Sequence, residues 1–189
     1  MTETITELED RVRQLEASAT ADALTLEQRE DIEAIKALKY RYFRTLDHKL
    51  WDEMADCFAP GATTSYYDER YQPEDVGQIM GFLKHSMGRF SLFGFHHGHQ
   101  PEIEITGPST ARGRWFLYNY MIDTKYDTTM LLAAIYEDEY VKADGQWKIA
   151  HTCSTRIVEE KLRRSSVPSL EIRANVFEGR QSGSDARFK

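Results

Sequence analysis

Cysteine is scarce: the 189 residues hold two, Cys57 and Cys153. That excludes a disulfide framework, and the pair matches no metal-ligand spacing, so a reducing, cytoplasmic setting is expected. Only five prolines occur. No apolar run approaches the roughly 20 residues of a membrane-spanning helix. The polar start, Met1-Thr-Glu-Thr4, does not read as a signal peptide. Positive charge is in deficit as well. Lysine and arginine number 24 against 31 acids, a net charge of −7 that argues against nucleic acid or an anionic membrane as the main partner. There is no internal repeat and no low-complexity segment.

Aromatic residues are plentiful. The hydrophobic fraction is 41% and the aromatic fraction 12%, with ten tyrosines and nine phenylalanines. This is the composition of a folded chain, and it fits either an aromatic-rich β core or a pocket for an apolar ligand. The length allows one domain with extensions.

Along the chain, Ile5, Leu8, Val12 and Leu15 recur as two short heptads, so residues 1–24 form a helical arm that packs on a neighbouring subunit or on its own domain. Thr25-Leu-Glu-Gln28 is a capping box and starts the main helix, whose apolar face carries Ile32, Ile35, Leu38, Tyr42 and Leu46. A second short helix is expected over Leu50 to Phe58, broken by Ala59-Pro-Gly61, with a first strand over Ala62 to Tyr67. Pro73-Glu-Asp75 opens a helix running to about Met87. From Leu92 the period changes to two. Strands are expected at Leu92–His99, Glu102–Thr106, Thr110–Lys125, Thr129–Lys142 and Gln146–Glu159, with Ala143-Asp-Gly145 as a hairpin turn. Helices followed by a long antiparallel meander give an α+β domain over 25–160. Residues 161–189 form an extension whose Val167 to Phe177 portion can dock and whose last dozen residues look loose.

The most unusual stretch is Tyr40-Arg-Tyr-Phe-Arg-Thr-Leu-Asp47, which ends an amphipathic helix in tyrosines, arginines and a carboxylate. An acid at a helix C-terminus opposes the dipole, so Asp47 is either solvated or held by a specific partner. A histidine from the run His96-His-Gly-His99 would be such a partner, and a carboxylate-oriented imidazole is a general base near neutral pH. In a regular strand His97 and His99 would share the inward face with Ile103 and Ile105, but a bulge at Gly98 or Pro101 would turn His96 inward instead. A zinc site from His97 and His99 has no third ligand at a diagnostic spacing. Tyr42 reads equally as a core tyrosine, Tyr66 as an ordinary strand residue, and Arg156 as a rim ion pair. In the last strand, Arg156 shares a face with Ala150, Thr152 and Ser154, small residues that leave room for a ligand.

Several phrases resemble the nuclear-transport-factor-two-like superfamily: Tyr42-Phe-Arg-Thr-Leu-Asp47, Thr64-Ser-Tyr66, His96-His-Gly-His-Gln-Pro-Glu-Ile103, Gly113-Arg-Trp115, Tyr136-Glu-Asp-Glu-Tyr140, Asp144-Gly-Gln-Trp147 and Arg156-Ile-Val-Glu-Glu160. Within it the chain is most similar to the SnoaL-like branch of scytalone dehydratase, hexachlorocyclohexane dehydrochlorinase and bile-acid 7α-dehydratase. The conjunction of Tyr42, Tyr66 and Arg156 points to the last. The resemblance spans roughly Asp31 to Glu160. It implies a cystatin-like conical barrel, a curved antiparallel sheet wrapped on N-terminal helices, and usually a homotrimer. It also implies a dehydratase without metal or cofactor that removes water from a small hydrophobic, steroid-like substrate. The catalytic set would be His96, Asp47, Tyr42, Tyr66 and Arg156, with Trp115 and Tyr118 shaping the substrate pocket and His99 as the reserve histidine. An isomerase, a dehydrohalogenase and a non-catalytic binding or assembly module share this scaffold.

Overall fold

Among the described residues of a computed structural model, four α-helices and five strands run in the order α1 (Ile5–Asp22), α2 (Leu26–His48), α3 (Trp51–Ala55), β1 (Phe58–Ser65), α4 (Val76–Met87), β2 (Leu92–Gly107), β3 (Thr110–Asp123), β4 (Thr128–Ala143) and β5 (Gln146–Arg163), followed by a single 3-10 turn over Arg164–Ser166. The structure describes residues 4–22, 24–66 and 70–178, with the backbone alone for 15–22. The strands form one curved, unclosed sheet in the order β1-β5-β4-β3-β2. The sheet is mixed and not purely antiparallel as expected, because β1 runs parallel to its neighbour β5. The crossover that a parallel pair needs is long here, since α4 and strands β2 to β4 lie between β1 and β5.

Helix α2 is the axis of the fold. Thr25 caps it through the expected box, its hydroxyl accepting from the Gln28 N–H while the Gln28 side chain accepts from the Thr25 N–H. Asp31, Ile35, Leu38, Lys39, Tyr42, Phe43, Thr45 and Leu46 make the buried stripe that packs onto the inner face of the sheet. Lys49, in the left-handed conformation at φ 59°, closes the helix, and its ammonium bends back to donate to the Leu92 carbonyl at 3.0 Å. Burial of that ammonium lowers its pKa to about 8, although Asp47 nearby works in the opposite direction.

A buried ion pair ties this helix to the sheet. Lys39 Nζ lies 2.7 Å from Asp138, and both side chains are fully buried. Asp138 also accepts from the Tyr140 hydroxyl and the Thr152 hydroxyl, each at 2.6 Å, and Tyr140 accepts in turn from Trp115 Nε1 at 2.9 Å. The ammonium sits 3.9 Å from the centre of the Tyr136 ring. Burial lowers the Lys39 pKa against the pull of Asp138. A second tie, Asp31 accepting from Trp147 Nε1 and Lys142 Nζ at 2.8 Å, holds the start of α2 to the β4–β5 hairpin.

Several boundaries differ from expectation. α3 ends at Ala55, and β1 begins at Phe58 and runs through Ala59-Pro-Gly61, with its register shifted between Phe58 and Thr63. The Pro–Gly pair makes an irregular edge strand and not a break, since an edge tolerates a missing donor. Tyr67, the expected end of this strand, lies outside the described residues. α4 starts at Val76 with Asp75 as its cap, so Pro73 precedes the helix. β2 is one bulged strand where two were expected. Beyond β5 the chain docks: Phe177 is buried against Phe90 and Phe93. Residues 179–189, which hold most of the tail expected to be loose, lie outside the described residues. On α1, Ile5, Leu8 and Val12 are exposed; the side chain of Leu15 lies outside the described residues.

Removing one member of the Lys39–Asp138 pair leaves the other buried and uncompensated. Asp138→Leu is expected to cost about 3–5 kcal/mol of unfolding free energy, read from urea titration. A loss below about 1 kcal/mol would show that the pair is not buried as described.

Candidate active site

Strand β2 carries the row Gly94, His96, Gly98 on its inner face, opposite Met121, Asn119 and Leu117 of β3. The face is decided by one extra residue. His99 pairs with Phe116 and Glu102 with Arg114, so three steps on β2 match two on β3, and Gln100 takes up the slack at φ 48°. The bulge lets Ile103 and Ile105 face inward together with His96, while His97 and His99 stand on the outer face, their rings parallel and 5.9 Å apart.

The two glycines let α2 come close. A Cβ at Gly94 would lie 2.9 Å from Asp47 Oδ1, and one at Gly98 would run into the Phe43 ring. With nothing there, Asp47 reaches His96 twice: Oδ2 accepts from the His96 backbone N–H at 2.9 Å, and Oδ1 meets Nδ1 at 2.5 Å. An ionised carboxylate only accepts, so Nδ1 carries the proton of the neutral ring and Nε2 presents its lone pair. Phe43 stacks on the imidazole at 6.2 Å between centres, the planes 9° apart. The His96 side chain is 6% exposed and that of Asp47 16%. Two donors, together with the Lys49 ammonium, offset the cost of an acid at a helix C-terminus.

Asn119 completes the site, and the sequence reading passed over it. It is 2% exposed, its Nδ2 lies 2.9 Å from His96 Nε2, and its buried Oδ1 has no hydrogen-bond partner among the described residues. The amide therefore caps the lone pair of the ring and keeps an acceptor in reserve.

His96 and Asn119 line a cavity of about 80 Å3, together with Tyr42, Tyr66, Tyr136, Phe82, Leu132, Ser154, Arg156 and Glu159. The hydroxyls of Tyr42 and Tyr66 are 3.1 Å apart. Burial first, then Tyr136 and Tyr66 alongside, push the Tyr42 pKa well up, so its phenol stays protonated as a donor. Arg156 reaches the cavity and pairs with Glu159 at 2.9 Å. Both face inward because β5 carries an extra residue at Ile157, Ala134 pairing with Arg156 and Ala133 with Val158. Another irregularity falls at Ala150, so Ile149 and Thr152 are the buried residues there, and Ala150 does not belong to the row of Arg156.

Of the sequence candidates, the structure brings His96, Asp47, Tyr42, Tyr66 and Arg156 to one cavity or its wall. Three others fall elsewhere. Tyr118 pairs with His97 and is 49% exposed on the outer face, as is His99 beside Phe116. Tyr118 alternates with the inward Leu117 and Asn119 on a regular strand, and His99 lies on the outer side of the β2 bulge. Trp115 is fully buried, but its indole serves the Tyr140–Asp138 network and does not line the cavity. Among the described residues no three His, Cys, Asp or Glu side chains group as metal ligands. A larger hollow of about 700 Å3 runs over the outer face among Glu102, Glu104, Arg112, Arg114, Glu137 and Glu139. It is a groove between charged surface side chains, remote from the histidine pair.

Asp47→Asn replaces one of two acceptors by a donor, which cannot face both His96 N–H groups. The ring is expected to move from the Nδ1–H to the Nε2–H tautomer, read by 15N chemical shifts of the labelled imidazole at a pH where it is neutral. An unchanged Nδ1–H ring would mean that the carboxylate does not set the tautomer.

Comparison with known proteins follows the same outline. Residues 27–152 match the SnoaL-like domain. A proposed scytalone dehydratase from Novosphingobium aromaticivorans is 23% identical with a TM-score of 0.65, over 69% of this chain and 86% of that one. Hexachlorocyclohexane dehydrochlorinase type 3 from Novosphingobium barchaimii is 16% identical with a TM-score of 0.66, over 72% and 93%. A proposed aromatic ring hydroxylase from N. aromaticivorans is 16% identical with a TM-score of 0.64, over 70% and 94%. At these identities the structural likeness concerns the fold. With the family match covering more than half its length, the chain belongs to the SnoaL-like domain family of the nuclear-transport-factor-two-like superfamily.

Proposed function

We propose that the protein is a lyase that eliminates water from a hydroxylated alicyclic substrate, using side chains alone. The observation that carries this reading is the half-buried Asp47–His96 pair, whose imidazole lines a cavity together with protonated Tyr42 and with Tyr66. The names of two structural neighbours, a proposed dehydratase and a dehydrochlorinase, are both those of eliminations.

In the scheme, Nε2 exchanges its contact with Asn119 for a C–H made acidic by conjugation to a carbonyl and takes the proton. The C–H electron pair moves through the conjugated system onto the carbonyl oxygen as an enolate or dienolate, and Tyr42 or Tyr66 donates a hydrogen bond to that oxygen. The returning electron pair then expels the hydroxyl on the carbon next to the deprotonated one, which leaves as water with a proton passed on from the imidazolium directly or through a tyrosine, and a further conjugated double bond remains. Asp47 stabilises the imidazolium between these steps. The wall of Phe82, Leu132 and Tyr136 excludes water and strengthens each polar contact. By the resemblance carried by Tyr42, Tyr66 and Arg156, the substrate class is steroid-like, as for a bile-acid dehydratase.

Hydroxylated 3-oxo-Δ4 steroids should develop the absorbance of an extended dienone with the protein. His96→Ala and Asp47→Asn should each reduce turnover by on the order of a hundred- to ten-thousand-fold while ligand still binds. The double variant should be no worse than the poorer single one, because the two act as a unit. Additive losses would sink the pair; halide release from chlorinated alicyclics with no dehydration would replace the leaving group; double-bond migration would make it an isomerase.

Assembly follows from the other side of the sheet. Phe95 of β2, Phe116 and Tyr118 of β3, and Ile157, Val158 and Leu162 of β5 are exposed apolar side chains of the sheet, and a patch of that kind fits a second copy better than water. The proposed unit is a homotrimer through these faces, with α1 as an added strap. Light scattering at micromolar concentration should give the trimer mass, and Val158→Asp should reduce it. A monomeric wild type would overturn the assembly and leave the chemistry untouched.

A further inference from the structure

Lys49 joins the two elements whose approach makes the site. It stands two residues after Asp47, and its ammonium donates to the carbonyl of Leu92, four residues ahead of His96 on β2. One bond therefore ties the helix end that carries the carboxylate to the strand that carries the histidine. The ammonium is also near enough for the Asp47 charge to act on it. Lys49 does not line the cavity, and at 3% exposed it is closed off from solvent.

The chain beyond β5 supplies the cover. Lys49 Nζ lies 4.7 Å from the centre of the Phe177 ring, a cation set on an aromatic face. Phe177, 5% exposed, stacks on Phe90 at 5.0 Å and on Phe93 at 5.7 Å between centres. Since β2 is an edge strand, the ring meets the end of the helix and the open side of the sheet together. The segment that delivers it is anchored on the way. Arg164 donates through its side chain to the Thr129 hydroxyl at 2.8 Å and through its N–H to the Asp127 carbonyl at 3.0 Å. The Ser165 N–H and hydroxyl both donate to the Asp127 carboxylate. Near the end, Asn175 Oδ1 accepts from the Phe177 N–H at 2.9 Å and sets the ring. All of this lies beyond residues 27–152, which match the family.

We infer that Lys49 is a positioning residue for the His96–Asp47 pair, and that residues 164–178 form the brace that keeps it in place. Phe177 shields the Lys49–Leu92 bond from water, and that bond holds the Asp47 end of α2 against β2. The inference rests on the proposed lyase site for the role of the pair, and on the contacts of Lys49, Leu92 and Phe177 for the brace. The amine carries the mark of this enclosure. Burial lowers its pKa to about 8 against the pull of Asp47, and Arg89, itself paired with Asp123, acts in the same direction as burial.

The test follows the His96 backbone N–H, which donates to Asp47 Oδ2, by amide hydrogen exchange in the full chain. The Ile149 N–H, bonded to the Cys57 carbonyl at the opposite end of β5 from the brace, is the reference. Phe177→Ala should speed exchange at His96 about tenfold relative to Ile149, the scale of one lost hydrogen bond from a charged group. Lys49→Gly should do the same; glycine accepts the φ of 59°, so the helix end is kept and only the ammonium is removed. Phe177→Leu, which retains an apolar cover, should keep most of the protection. By NMR of labelled lysine, the Lys49 amine should titrate near 8 in the wild type and move toward 10.5 in Phe177→Ala, as water reaches it. An unchanged ratio of His96 to Ile149 exchange in Phe177→Ala or in Lys49→Gly, or a Lys49 amine that ignores Phe177→Ala, overturns the brace. None of these readouts needs turnover. A wild type without turnover whose His96 responds as expected overturns the lyase reading and leaves the brace standing, and turnover with an unresponsive His96 does the reverse.

Discussion

Everything at the site depends on how closely the end of α2 approaches β2, and that approach is set by two missing side chains. Gly94 and Gly98 flank His96 on one row, and the Asp47 carboxylate and the Phe43 ring occupy the space their Cβ atoms would need. Only then can one carboxylate hold both the ring and the backbone N–H of the same histidine. The double contact fixes the position of the ring as well as its tautomer. A single Nδ1 contact would leave the imidazole free to pivot about it. The left-handed Lys49 ends the helix immediately after Asp47, so the carboxylate is delivered at the sheet and not carried past it.

A second constraint lies deeper in the core. The Lys39–Asp138 pair with Tyr140, Thr152 and Trp115 joins the buried face of α2 to β3, β4 and β5. Hydrophobic side chains of similar volume would serve stability as well or better. A connected polar network offers something they do not, namely a fixed register between helix and sheet, because its contacts hold in one arrangement only. Tyr136 belongs to both systems: its ring lies under the Lys39 ammonium and it also lines the cavity. One side of the site is therefore held by the most constrained part of the core, while Met87, Met121 and Met130 line another. Rigid chemistry and an adaptable wall are compatible because they are built from different side chains.

The irregularities of the strands decide which residues meet. Extra residues at Gln100, Ala150 and Ile157 each reverse the facing of everything that follows. The first leaves His96 inside while Ile103 and Ile105 remain inside as well. The last brings Glu159 inward behind Arg156, where its carboxylate meets both Arg156 and Lys161. In a sheet with strict alternation, neither arrangement would exist.

From the sequence alone, the α+β class, the capped main helix, the three long strands β3 to β5 and the meeting of Asp47 with His96 were legible. The helical stripe, the capping box and the Asp144-Gly145 turn are local signals, each read within a few residues, and the motif phrases carried the rest. The row Gly94-x-His96-x-Gly98 was also there to be read, as the one place where alternate positions leave room for a helix. Asn119 was not, since a lone asparagine in a strand carries no local mark, and it matters only because register sets it against Nε2. His99 falls outside because facing along the bulged β2 is a property of pairing, and pairing is long-range; Tyr118 and Trp115, three apart on the regular β3, stand on opposite faces, and the inward Trp115 is taken by the Tyr140–Asp138 network. The parallel seat of β1 at the far edge, the burial of Lys39 and the docking of Phe177 also arise from contacts between segments tens of residues apart. Composition and periodicity fixed the elements because those depend on neighbours in the chain; only the tertiary structure could decide which faces and charges meet.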